Sequence, residues 1–257
     1  MKNSYTLLLL VFVAFSSCGD DLDDNLKASA ATQFKFTHQW NARTVSSADF
    51  NTLQFINANG EELSVERLRY LISEVTFTRG NGEDIVIDGH HLIDVTEDSG
   101  LTYTPELEIP TGFYTNVSFT FGLNNEANMQ NYIDLNSVSF NVPEMLGGGY
   151  HYMQMDGKFV NSAAEEMGYN YHAIRAVDNV GSNPTFPQDT FFTVNLGAVN
   201  IASETIVEVK MNIAEWFRNP NVWDLNVLNS VLMPNSEAQI LMSENGQSVF
   251  SLGTVTP

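Results

Sequence analysis

The sequence predicts an all-β domain over residues 33–257, an antiparallel β-sandwich or barrel-like fold with few short helices. Three observations predict it. Apolar residues recur at every second position, the period of a strand with one buried face. Turn residues break that alternation at short intervals, as in "ANG" (58–60), "GNG" (80–82), "PTG" (110–112) and "SNPT" (182–185). Helix-period stretches are confined to two short windows.

The elements follow in order. "QFKFTHQW" (33–40) places Phe34, Phe36 and His38 on one face. "RLRYLISEVTFTR" and "DIVI" flank the "GNG" turn and read as a hairpin. "GFYTNVSFTFGL" (112–123) alternates with Phe113, Thr115, Val117, Phe119 and Phe121 on one side. "GGGYHYMQMDG" (147–157), read as a strand, puts His151, Met153 and Met155 together and Tyr150, Tyr152 and Gln154 opposite. That first face could hold a copper ion or could be core. "TIVEVKMNI" (205–213) turns Val207, Val209, Met211 and Ile213 inward and Glu208 and Lys210 outward, the pattern of a half-buried antiparallel strand. The helical windows are 124–135 and 235–245, the second with Ser236 as cap and "NG" as stop.

The N-terminus lies outside this pattern. Lys2, the apolar run "LLLLVFVAF" (7–15) and the small residues before Cys18 have the order of a secretory signal peptide. The run is too short to span a bilayer. Cys18 is the one cysteine of the chain, and its setting resembles a bacterial lipobox: signal peptide 1–17, then a lipidated Cys18. Residues 18–32 are acidic, then small and polar, and read as a spacer. An acidic run at this place resembles the signal that sends lipoproteins of the Bacteroidetes to the cell surface. The expected location is therefore the outer membrane, on its periplasmic or cell-surface face.

A formal net charge of -20 argues against nucleic acid as partner. With Cys18 lipidated, no free thiol remains, so a metal site has to use His, Met, carboxylate or backbone ligands. There is no phosphate loop, dinucleotide fingerprint, nucleophile elbow or H-E-x-x-H, and the expectation is a protein that is not an enzyme. Five histidines exist. His90 and His91 are adjacent, so in a strand they face opposite ways. His38, His151 and His172 lie in aromatic strand segments, where each alone is either a structural imidazole or a ligand. Neutral imidazole suits copper.

The ordered series "RYLIS" (69–73), "PTGFY" (110–114), "FTFGLNNEAN" (119–128), "GGYHYMQMDG" (148–157) and "YNYHAI" (169–174) resembles the MbnP-like family. These are β-rich periplasmic or surface proteins of bacteria, many of them lipoproteins, and the resemblance covers nearly all of 33–257. It implies one copper ion held by two histidines, with an oxidised tryptophan nearby. By position it implies His172 as one ligand and His38 as the second. His151 is a third ligand or a hydrogen-bond brace for one. Trp40 is the candidate tryptophan, although it follows its histidine by two residues where the family's precedes. Met153 takes an apolar position of the family and is expected to be core or to support the ligands. The implied role is copper capture or hand-off, with an outer-membrane metal receptor or a di-haem peroxidase-like protein as partner. This requires the rings of His38 and His172 to converge. A rival reading is a surface module that binds a glycan, peptide or partner protein through exposed aromatics such as Trp216, Trp223 and Tyr150.

Overall fold

The computed structural model describes residues 28–257. The stretch read as a signal peptide, Cys18 and most of the stretch read as a spacer lie outside the described residues. Nine strands of seven or more residues build two sheets: β1 (Ser29–Trp40), β2 (Arg67–Arg79), β3 (Asp84–Asp94), β4 (Gly112–Phe121), β5 (Met153–Val160), β6 (Glu166–Ala173), β7 (Phe192–Ile201), β8 (Glu204–Asn212) and β9 (Phe250–Thr256). The first strand therefore starts at Ser29, inside the stretch read as spacer.

One sheet runs β9-β8-β1. The other runs β7-β4-β2-β5, with β3 on the free side of β2 and β6 on the free side of β5. The β2–β3 hairpin closes at "GNG" as expected, with the Gly82 amide donating to the Arg79 carbonyl. The fold is a sandwich of mostly antiparallel strands, with one exception: β8 lies parallel to β1, Phe34 opposite Val207 and His38 opposite Met211. An alternating pattern states which face is buried, not the direction of the neighbour.

The core fills the space between the sheets. Phe34, Phe36, His38 and Trp40 of β1 are all buried, as are Val207, Val209 and Met211 of β8. They meet the inner face of the second sheet: Phe34 packs on Phe77 at 6.0 Å between ring centres, and Phe36 and His38 on Tyr70 at 6.3 and 5.8 Å. Met153 and Met155 belong to this interior and are fully buried, filling irregular gaps as unbranched thioethers do.

In β4 the alternation changes phase. Asn116 pairs with Thr78 and Tyr114 with Arg79, so Thr115 is an extra residue, a β-bulge. Val117, Phe119 and Phe121 stay buried as expected, but Phe113 is 64 % exposed and Tyr114 takes its place inside.

The window 124–135 divides into a 3-10 turn (Ala127–Met129) and the single-turn helix α1 (Ile133–Ser137). The later window is helix α2 (Ser236–Gly246), capped by Asn235 and not by Ser236: the Asn235 side chain accepts from the Ala238 amide. None of the helices among the described residues is long and apolar enough to cross a membrane.

Residues 124–151 form a strap over the outer face of the second sheet. Arg69 lies over the Phe140 ring at 5.3 Å, and Gln154 donates to the Ser139 carbonyl at 3.4 Å. This strap positions the site.

Candidate metal centre

Cross-strand register decides which histidines meet. Tyr70 pairs with Met153, and Met153 with Ala173; one residue along, Arg69 pairs with Gln154, and Gln154 with His172. Paired residues share a face and neighbours oppose. Tyr70, Met153 and Ala173 face the core, whereas Arg69, Gln154 and His172 face outward beneath the strap. His38 is on the core side, where its Nε2 is 3.1 Å from the Tyr70 hydroxyl. His38, reaching in from the facing sheet, and His172 therefore lie on opposite sides of the second sheet, and the expected convergence of these two rings does not occur.

His172 meets His151 instead. Their ring centres are 5.3 Å apart, nearly perpendicular at 82°. Extending the strand back from Met153 would have placed His151 in the core with the methionines. The strand begins only at Met153, and the chain bends at 151–152, so His151 turns outward against Phe140. The shared face of His151, Met153 and Met155 is thereby corrected: the methionines are core, the imidazole is not.

The hydrogen bonds define which nitrogens are free. His151 Nδ1 is 2.9 Å from the Phe140 carbonyl oxygen, which can only accept, so Nδ1 carries the proton. His151 Nε2 then presents a lone pair; it is buried and has no partner. His172 Nε2 is 2.8 Å from Asp156 Oδ1 and donates to it, which leaves Nδ1 as the basic nitrogen of the neutral ring. Each imidazole is braced on one side and open on the other, the arrangement that fixes tautomer and orientation in metal-binding histidines.

Asp156 is the anchor of the cluster. It accepts from His172, from Asn170 Nδ2 at 2.6 Å and from the Arg67 guanidinium. Burial pushes its carboxyl up, but the His172 hydrogen bond and charge, Asn170 and Arg67 outweigh that and hold it at about 2. Its oxygens are thus committed to donors. His151 is 4 % exposed. Burial is the main reason its pKa falls to about 4; the neighbouring His172, Arg69 and Arg67 charges add to this, and the Phe140 hydrogen bond opposes it. The ring stays neutral, its lone pair available, through mildly acidic pH.

The remaining candidates are placed elsewhere. Trp40 stacks on Phe55 at 4.8 Å and donates to the Ile56 carbonyl, on the core side. Trp216 and Trp223 are buried against Tyr171. All three tryptophans are therefore away from the histidine pair, and Trp216, Trp223 and Tyr150 are not the exposed aromatics the rival reading needs. His91 bonds the Gly100 carbonyl and His90 bonds Asp134, on opposite faces as adjacent strand residues must be. Among the described residues no group of three or more His, Cys, Asp or Glu is arranged to hold a metal. The centre consists of two imidazole nitrogens and no carboxylate.

Sequence reasoning missed Asp156, Phe140 and the bend that follows the glycine run. Gly147, Gly148 and Gly149 all have left-handed backbone, at φ 91, 63 and 79. At Gly149 a Cβ would lie 2.7 Å from the Asn128 carbonyl oxygen and 2.8 Å from its side-chain oxygen. Gly149→Ala is expected to lower stability by about 2 kcal/mol or more, from left-handed strain plus that overlap. Urea unfolding measures it, and a midpoint equal to wild type would contradict the assignment.

Two packed β-sheets with a braced histidine pair on the outer face of one of them define a β-sandwich protein with a small imidazole centre. Within that class the chain belongs to the MbnP family, whose model matches residues 29–234. Among solved structures it is similar to MbnP from Methylosinus trichosporium, with a TM-score of 0.56 at 11 % identity, covering 88 % of this chain and 99 % of that one. The likeness concerns the fold. No curated protein matches.

Proposed function

We propose that this chain is a copper-binding lipoprotein of the bacterial envelope, anchored through Cys18, that captures copper at His151 and His172 and passes it on without turnover. One observation carries the reading: two imidazoles 5.3 Å apart, each with one nitrogen committed to an acceptor and the other open. Membership of the MbnP family supports copper as the metal. Neutral imidazole nitrogens are suitable copper ligands, and a copper ion is cargo here. With Asp156 already saturated, the protein supplies two ligands and leaves the rest of the shell to a carrier or solvent. An incomplete shell suits release to a partner such as an outer-membrane metal receptor or a di-haem peroxidase-like protein. Elemental analysis of protein purified from its native host should find one copper per chain; protein that holds none after copper loading and dialysis would sink the proposal.

The anchor has its own test. Cys18→Ala should move the protein from the membrane to the soluble envelope fraction, because a diacylated cysteine is the tether. Unchanged membrane association on fractionation would count against lipidation.

A further inference from the structure

The strap over the second sheet forms a recess of about 290 Å³. Its walls carry five carboxamides, from Asn128, Gln130, Asn131, Asn136 and Asn141, and one carboxylate, Glu144; Gly147 to Gly149 contribute bare backbone. No Lys, Arg or His lines it.

The amides are held in fixed directions. Asn141 Nδ2 donates to Asn136 Oδ1 at 2.6 Å, and Asn136 Nδ2 donates to Asn131 Oδ1 at 2.7 Å. The Tyr150 hydroxyl donates to Asn136 Oδ1 as well, at 3.0 Å. This relay has two open ends: Asn131 Nδ2 remains a donor and Asn141 Oδ1 an acceptor. Asn128 is oriented by the Tyr150 amide, which donates to its Oδ1 at 2.9 Å. That forces its Nδ2 to be the free atom. Asn128 is 1 % exposed and its Nδ2 has no partner in the protein. A buried amide donor without a partner is uncommon, and this one lies beneath the recess wall, so the open relay ends at Asn131 and Asn141 are the groups that face a ligand.

The pattern disfavours ions. An anion would meet Glu144 and no cationic side chain. A metal cation would meet the Asn131 amide donor, with one carboxylate and one free amide oxygen as its side-chain ligands. The recess matches a neutral ligand that presents donors and acceptors side by side, which is the chemistry of vicinal hydroxyls. A peptide would need pockets for alternate side chains, and among the lining residues the exposed large apolar side chain is Met129 alone. The volume is at the small end for ligand sites, enough for one compact unit. We propose that this recess binds one neutral saccharide unit, at a site separate from the histidine pair.

The test is isothermal titration of the purified chain with neutral mono- and disaccharides, alongside a glycan array and a peptide array. Saccharide binding is expected, and Asn131→Ala with Asn141→Ala should weaken it by about tenfold or more, as two lost hydrogen bonds do. Both side chains are exposed, so thermal unfolding of this variant should match wild type. The His151→Ala/His172→Ala variant should bind saccharide undiminished. The proposal is overturned if no neutral saccharide binds, if the double asparagine variant binds as well as wild type, or if peptides alone are retained.

Discussion

Replacing His151 and His172 together by alanine is expected to abolish the proposed copper retention through dialysis, while His38→Gln is expected to leave it at the wild-type level. Each single replacement leaves one imidazole, so each should lose most of the affinity. His172→Gln is the milder probe of the pair, because the ring is only half-buried. Asp156→Ala removes no ligand, yet it frees the His172 ring to rotate and change tautomer; loss of such a brace weakens metal binding by about 10–100-fold. Copper content by elemental analysis and affinity by chelator competition measure the series, with circular dichroism to confirm the fold. Copper retained by the double alanine variant would remove the histidine pair from consideration. Copper lost in His38→Gln would restore the first-strand histidine, against the register that sets it on the far face.

The second large effect is on stability at acid pH. His38 is buried in the core beside Tyr70, and burial lowers its pKa from 6.5 to about 4. His151 is lowered to about 4 as well, chiefly by burial. In the unfolded chain both rings protonate near 6.5, whereas in the folded protein they resist protonation down to about 4. The unfolded state therefore binds more protons within that window, and stability falls as pH falls through it. Below about 4 both states are protonated and the contribution levels off. A tenfold difference in proton affinity is worth about 1.4 kcal/mol, so each ring accounts for roughly 3 kcal/mol, a large share of the ~5–15 kcal/mol that holds a typical domain together. Asp156 acts lower: held at about 2, it withdraws stability only as pH drops beneath the ordinary carboxylate range. Urea unfolding at a series of pH values reads the slope. His38→Gln should remove about half of the loss between pH 6.5 and 4, since glutamine keeps a partner for the Tyr70 hydroxyl and does not titrate. An unchanged slope in that variant would show that His38 is solvated.

The strands were legible because each buries one face, and burial writes a period of two into the chain. Phe34, Phe36 and Trp40, or Val207, Val209 and Met211, are found inside as their spacing requires. The pattern failed where the backbone departs from a regular strand. A single extra residue at Thr115 reverses the phase of β4 and exposes Phe113. The late start of β5 at Met153 reverses His151 relative to Met153. The candidate site was legible in its residue types and only partly in their grouping: His151 and His172 were both named, but His172 was paired with His38. Asp156 carried no signal, because one carboxylate among many acquires its role from the cross-strand contact with His172.

By itself the sequence determined the all-β class, the inward face of most strands, the family, and three histidines set in aromatic strands. These follow from local periodicity and residue order, which a linear chain displays directly. The tertiary structure alone decided that His151 joins His172 and that His38 stays in the core. That choice depends on register between strands distant in the chain and on a bend after three left-handed glycines, and one residue of slip at either would send the imidazole to the other face.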